Sequence, residues 1–279
     1  MRKNIERIIV IGLDGVGAFL KDAKTPNIHA LLQDGVLTYS AQTAFPSISA
    51  QCWGTLLHSV SPDKHGRDND IAGQHKFPED SPYPSFLKTI KQSFPNGKIA
   101  AFSCWSPINF GIIEDSTEAT KVSLPDPELA DAAVQYIRAN PDFKAMFFQF
   151  DHPDGAGHKY GYGSKEFLDI VAETDIHIGK IIDVIKEQNL LDDTLIIITT
   201  DHGGGGDDGY YSHGSAHPLD MTIFWGCYGP GVAKGAALEG VHIADTAAVA
   251  LHALGLEVPA HYEGKVPAGL FSGAEVTKG

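Results

Sequence analysis

The stretch at residues 196–206, IIITTDHGGGG, sets the strongest limit on how this chain can fold. An apolar, β-branched run over 195–200 stops abruptly at Asp201, His202 and four glycines. A run without polar alternation suits a strand covered on both faces, as in a parallel sheet. Asp201 and His202 then fall at its carboxyl end, where open α/β sheets place their ligands. The glycines permit a sharp turn and a close approach of backbone to whatever the two side chains hold. An adjacent carboxylate and imidazole is half of a divalent-metal site or, taken alone, a strand-end turn with a capping aspartate.

The other elements follow from the same kind of pattern. Strands are expected over 7–13, 36–43, 98–103, 145–150 and 221–228. Thr25 as N-cap, with Pro26 at the first helical position, opens a helix that Gly35 closes. Further helices are expected over 50–59, 85–93, 127–139 and 244–254. A long one over 164–188 carries Phe167, Ile170, Val171, Ile178, Ile181, Ile182 and Ile185 at helical spacing. Residues 66–84 are polar and proline-rich and read as a long loop. The alternation implies a three-layer α/β/α sandwich with a mainly parallel central sheet.

At 279 residues the chain has room for a single domain over 1–279, with a loop or small cap around 67–84. Its formal charge of −14 argues against duplex nucleic acid and anionic membrane surfaces as partners. A small phosphate ester stays open as substrate, because bound cations would set the local field. Cys52, Cys104 and Cys227 are odd in number and share no close spacing. That argues against a disulfide framework or a CxxC zinc site and suits a reducing, cytoplasmic compartment. The basic start MRKN precedes an apolar stretch, but Glu6 and Asp14 interrupt it and no small-residue cleavage site follows. A first strand is expected there rather than a leader, and no run reaches transmembrane length.

Four polar clusters fall at the ends of expected strands or at a helix start: Asp14, Ser49, Asp154 with His158, and Asp201 with His202. His213 follows in the next loop. Singly, Asp14-Gly15 reads as a turn, Ser49 as an N-cap and His158 as a loop histidine. Together, three carboxylates, three imidazoles and a hydroxyl approach the roughly six to eight N/O ligands that two zinc-like sites require.

The pieces that carry these residues are IGLDGV (11–16), TPNIHALLQDGV (25–36), FPSISAQCWGTLLHSVSPDKHG (45–66), PDGAGHKYG (153–161), TTDHGG (199–204), SHG (212–214) and YGPGV (228–232). In this order they resemble the alkaline phosphatase superfamily and, within it, the type I phosphodiesterase/nucleotide pyrophosphatase family. The resemblance implies a metal-dependent hydrolase of phosphate esters, phosphodiesters or nucleotide pyrophosphates, working through a phospho-serine intermediate on Ser49. It implies two divalent cations, zinc or alternatively manganese. One would be held by Asp14, Asp201, His202 and Ser49, the other by Asp154, His158 and His213. His217 competes with His213, and Ser47 with Ser49; the register against the Cys-Trp-Gly-Thr segment selects Ser49. His65 is expected to brace the turn after Pro62.

Cys52 departs from the family pattern, standing where an asparagine amide often meets the phosphate. No CxPxR-like arginine follows Ser49 or Cys52, which sets the sulfatase branch aside, and the chain lacks room for the inserted domain of cofactor-independent phosphoglycerate mutases. Two other readings stay open: a phosphomonoesterase or phosphonate hydrolase on the same site, and a non-catalytic phosphate- or metal-binding relative. A dianionic monoester would want an added cation, for which Arg67 and Lys159 are the candidates. Phe45, Trp53, Tyr160, Tyr162, Tyr210 and Tyr211 are the aromatics on hand to stack a leaving group.

Overall fold

The computed structural model of the protein describes residues 4–272. Seven strands form one sheet: β1 (Arg7–Leu13), β2 (Val36–Gln42), β3 (Lys98–Ser103), β4 (Thr120–Val122), β5 (Phe143–Phe150), β6 (Thr194–Thr200) and β7 (Thr222–Tyr228). Their order across the sheet is β2-β7-β6-β1-β5-β3-β4, and β7 alone runs against the rest. Among the described residues there are ten α-helices: α1 (Pro26–Leu32), α2 (Ser49–His58), α3 (Pro62–His65), α4 (Asn69–Gln74), α5 (Phe86–Ser93), α6 (Asp126–Ala139), α7 (His152–Tyr160), α8 (Lys165–Glu187), α9 (Pro218–Met221) and α10 (Asp245–Ala253).

The central strand β1 shows why the sheet is covered on both faces. Ile8 and Val10 join a core built with α2, α5 and α10, while Ile9, Ile11 and Leu13 join one built with α1, α6 and α8. Successive side chains of a strand point to opposite faces, so an unbroken apolar run must be buried twice. The result is the expected three-layer α/β sandwich with a mostly parallel sheet. Gly12 breaks the apolar run for a reason: a Cβ there would lie 2.1 Å from the Trp53 ring. The indole packs against bare backbone, which lets it reach the end of β1.

Several local expectations change. Residues 66–84 are not loop throughout, because α4 forms there and Asp68 caps it by accepting the Ile71 N–H at 2.7 Å. Thr25 occupies the N-cap position of α1 but does not cap it; its hydroxyl lies 2.8 Å from His29 Nδ1. The segment after β5 is not a loop but helix α7, so His158 is helical. Strand β4 and the single turn α9 are too short to leave a periodic signal. Among the described residues, no helix is long and apolar enough to cross a membrane.

Candidate active site

Register brings the carboxylates together. Leu13 is aligned with Phe150 on one side and Thr200 on the other. The next residue of each strand, Asp14, Asp151 and Asp201, therefore emerges at one level of the sheet edge. Ser49 arrives from β2 through the cis Phe45–Pro46 peptide and opens α2. Asp154 and His158 lie one turn apart on α7, and their side chains meet at 3.2 Å.

Near Ser49 the donors gather on His202 Nε2. His202 Nε2 lies 3.4 Å from Asp14 Oδ1, 3.3 Å from Asp201 Oδ2 and 3.3 Å from Ser49 Oγ. Asp14 and Asp201 are fully buried, yet these two carboxylate oxygens have no hydrogen-bond partner. Their other oxygens are tied down. Asp14 Oδ2 accepts from Trp53 Nε1 and Gln149 Nε2, both at 2.9 Å. Asp201 Oδ1 accepts the backbone N–H groups of Gly15 and His202. Burial, followed by the charge of Asp201, holds the Asp14 carboxyl well above the usual carboxylate range, and burial does the same at Asp201. A buried, unpaired acceptor is costly unless something positive sits against it.

The second group is more open. Asp154, His158 and His213 each place a ligating atom within 4.8 Å of the other two, and Asp14, Asp154 and His202 do the same. Asp154 Oδ1 accepts the Tyr162 hydroxyl at 2.6 Å and lies 3.9 Å from His213 Nε2. Burial pushes Asp154 up, but the His158 hydrogen bond and the surrounding imidazoles outweigh it and hold the carboxyl below its usual range. That same bond raises His158 to about 9. Burial, followed by its neighbour His213, lowers His202 to about 3. The His202 and His213 rings stack at 3.8 Å.

All three imidazoles are oriented alike. His158 Nδ1 lies 2.8 Å from the Tyr211 carbonyl, His202 Nδ1 2.8 Å from that of Gly203, and His213 Nδ1 2.7 Å from that of Ser47. A carbonyl only accepts, so each Nδ1 carries a proton and each Nε2 is turned to the site, where that of His158 pairs with Asp154. His217 is used differently: its Nδ1 accepts the Leu219 N–H and caps α9.

Other expected residues turn out elsewhere. Cys52 is buried with Sγ 3.5 Å from the Ala44 carbonyl, so it fills the interior rather than facing the site. Ser47 Oγ donates to the Ser215 carbonyl. His65 accepts the Arg67 N–H at Nδ1 and so braces the turn after Pro62, and it also packs on Gly54 of α2 and lies 3.1 Å from the Gln51 carbonyl. Arg67 spreads over the Phe77 ring and Lys159 over the Tyr160 ring. Trp53 and Tyr162 are buried and unavailable for stacking, whereas Phe45, Tyr160, Tyr210 and Tyr211 are exposed on segments that carry site residues. Trp53, Gln149 and Tyr162 were not foreseen as partners of the carboxylates. Gln149, between Phe148 and Phe150 in β5, is the polar break that could have pointed to a buried role.

The mostly parallel sheet, with carboxylates and imidazoles gathered at its carboxyl edge, has the alkaline phosphatase-like fold. The sequence profile of type I phosphodiesterase / nucleotide pyrophosphatase matches residues 8–206, and the chain belongs to that family. It is 27% identical over 214 residues to ectonucleotide pyrophosphatase/phosphodiesterase family member 7 of Rattus norvegicus, covering 68% of this chain and 48% of the relative. An uncharacterized pyrophosphatase/phosphodiesterase of Schizosaccharomyces pombe is 24% identical over 214 residues, covering 66% and 41%. The chain thus spans about half the length of the curated relatives it matches. In structure it resembles human ectonucleotide pyrophosphatase/phosphodiesterase 5, with a TM-score of 0.74 at 15% identity over 93% of this chain and 97% of that one. A 2-O GAG sulfatase gives the same TM-score of 0.74 at 14% identity, covering 95% and 73%. At these identities the likeness speaks for the fold alone.

Proposed function

We propose that the protein hydrolyses phosphate esters, phosphodiesters or nucleotide pyrophosphates by name of class, with Ser49 as nucleophile and two divalent cations as cofactors. The observation that carries this reading is the pair of buried, partnerless oxygens of Asp14 and Asp201, each within 3.4 Å of the same His202 Nε2 that Ser49 Oγ approaches at 3.3 Å. Two carboxylates, an imidazole and a hydroxyl form a donor set that fits zinc, with manganese as the alternative. Asp154, His158 and His213 would hold the second ion. Bound there, the cations would supply acidity to the serine hydroxyl and neutralise charge building on the phosphoryl oxygens.

The chain's own residues do the rest. Trp53, Gln149 and Gly15 fix the carboxylates, so the donors need no rearrangement when substrate arrives. Ser49 stands at the start of α2, whose positive end favours an anionic ester beside it. Its oxygen, once deprotonated, forms a bond to phosphorus as the bond to the leaving oxygen breaks, and water then hydrolyses the Ser49 ester. Phe45, Tyr160, Tyr210 and Tyr211 offer exposed rings to the leaving group.

Diesters are the preferred class in this reading. A monoester dianion wants an extra cation beyond the metals, and Arg67 and Lys159 are engaged with Phe77 and Tyr160. A nitrophenyl ester of thymidine monophosphate should be cleaved at least about tenfold more efficiently than nitrophenyl phosphate, or about 1.4 kcal/mol of differential transition-state binding. Equal or reversed kcat/KM values would assign the site to monoesters.

A further inference from the structure

A second mixed set of donors lies outside the site around Ser49. The Cys104 thiol, the Asp126 carboxylate and the His152 imidazole each place a ligating atom within 4.8 Å of the other two. They converge from three elements: Cys104 follows β3, Asp126 opens α6 and His152 opens α7. Asp126 is fully buried and held still, with Oδ1 accepting the Asp151 N–H at 3.0 Å and Oδ2 the His152 N–H at 2.9 Å. The Cys104 thiol hydrogen-bonds the same carboxylate, and a cation held there would take the place of that proton. His152 Nδ1 stands 3.7 Å from Asp126 Oδ2, and the ring is partly open to solvent. The backbone N–H of Cys104 is anchored to the Gln149 carbonyl at 3.1 Å.

Capping of α7 accounts for the Asp126 carboxylate, but not for a thiol and an imidazole gathered on it. A second feature points the same way. His177, on α8, is 7% exposed, and neither of its ring nitrogens has a hydrogen-bond partner. Its ring stacks on Phe150, the last residue before the Asp151–His152 turn. Burial and then Lys180 depress its pKa, with Asp126 and His152 among the other groups it feels. An imidazole with both nitrogens unpartnered thus lies close enough to feel the charges of Asp126 and His152.

We propose that Cys104, Asp126 and His152 form a binding site for a borderline or soft divalent cation such as zinc or cadmium, separate from the donors around Ser49. Burial, with the charges of Asp126 and Asp151, holds the Cys104 thiol above its usual range. Cation binding therefore expels the thiol proton and tightens as pH rises. An ion here would join β3 and α6 to the start of α7, the helix that carries Asp154 and His158. Asp151 adds a link: its Oδ1 accepts from Gln149 Nε2, the same amide that serves Asp14 Oδ2.

Sulfur makes the test selective. The donors around Ser49 are oxygen and nitrogen only, and Cys52 and Cys227 are fully buried in the core. Cobalt(II) added to the metal-stripped full chain should produce a thiolate-to-metal charge-transfer band of the amplitude of one thiolate per chain. The band should persist in Asp201→Ala, vanish in Cys104→Ser, and require at least about tenfold more cobalt in His152→Gln. Circular dichroism checks that Cys104→Ser is folded, and its diester hydrolysis should match the wild type. Absence of the band in the wild type with both cobalt and cadmium would overturn the proposal. So would its survival in Cys104→Ser, or unchanged affinity in His152→Gln.

Discussion

His158, His202 and His213 each spend Nδ1 on a backbone carbonyl and turn Nε2 inward, which is how a protein fixes the tautomer of a metal-binding imidazole. His217 instead accepts a backbone N–H at the start of α9. His213→Ala should therefore weaken cation binding by more than the 10–100-fold typical of losing a supporting contact. His217→Ala should leave metal content unchanged and cost only about 1 kcal/mol as a lost cap. Titration with a competing chelator decides between them; equal metal loss in both variants would contradict the assignment. Asp14, Asp201 and His202 were legible because each ends a strand whose apolar run stops at it. Trp53, Gln149 and Tyr162 were not, because what they touch is set by packing between elements rather than by their neighbours in sequence. Trp53 meets Asp14 only because Gly12 leaves room for its ring.

At the scale of elements, periodicity located six of the seven strands and the longer helices to within a few residues. It failed at α7, where Pro153, Gly155 and Gly157 look like loop composition. Pro153 is tolerated in the first turn of a helix. Gly157 is needed because a Cβ would come within 2.4 Å of the Tyr162 ring. The same close packing governs the turn after β1. Gly15 has φ of +70°, and a Cβ there would lie 2.5 Å from Asp154 Oδ1. Gly15→Ala should lose about 1–2 kcal/mol to the left-handed backbone alone, displace Asp154, and weaken cation binding at its group. Gly66→Ala is the control, with φ of +65° and open space around it. It should lose comparable stability while its metal affinity stays at the wild-type value. Thermal melts with parallel metal titrations separate the two effects; matching metal affinities in both variants would refute a role for the close approach.

For the whole molecule, the site gathers buried carboxylates that resist ionising in a chain already at −14. Asp14 and Asp201 have folded pKa values raised above the usual 3.8. Their contribution to stability is thus fully present below that value and is lost as pH rises through the folded one. Protons and cations compete for the same oxygens, so the rise in Tm on adding zinc should be larger at pH 8 than at pH 5. His158, raised to about 9, reinforces the trend in the metal-free protein, because its pairing with Asp154 is lost as pH climbs past that value. A zinc-induced shift that is the same at both pH values would contradict this account.

All of this converges on one oxygen. Diester hydrolysis by Ser49→Ala, measured beside the wild type at matched metal content, tests the central claim most directly. Removal of the nucleophile should leave the cations bound and lower kcat/KM by at least about three orders of magnitude, or about 4 kcal/mol of transition-state stabilisation. Retention of more than a tenth of wild-type turnover would show that Ser49 is not the nucleophile.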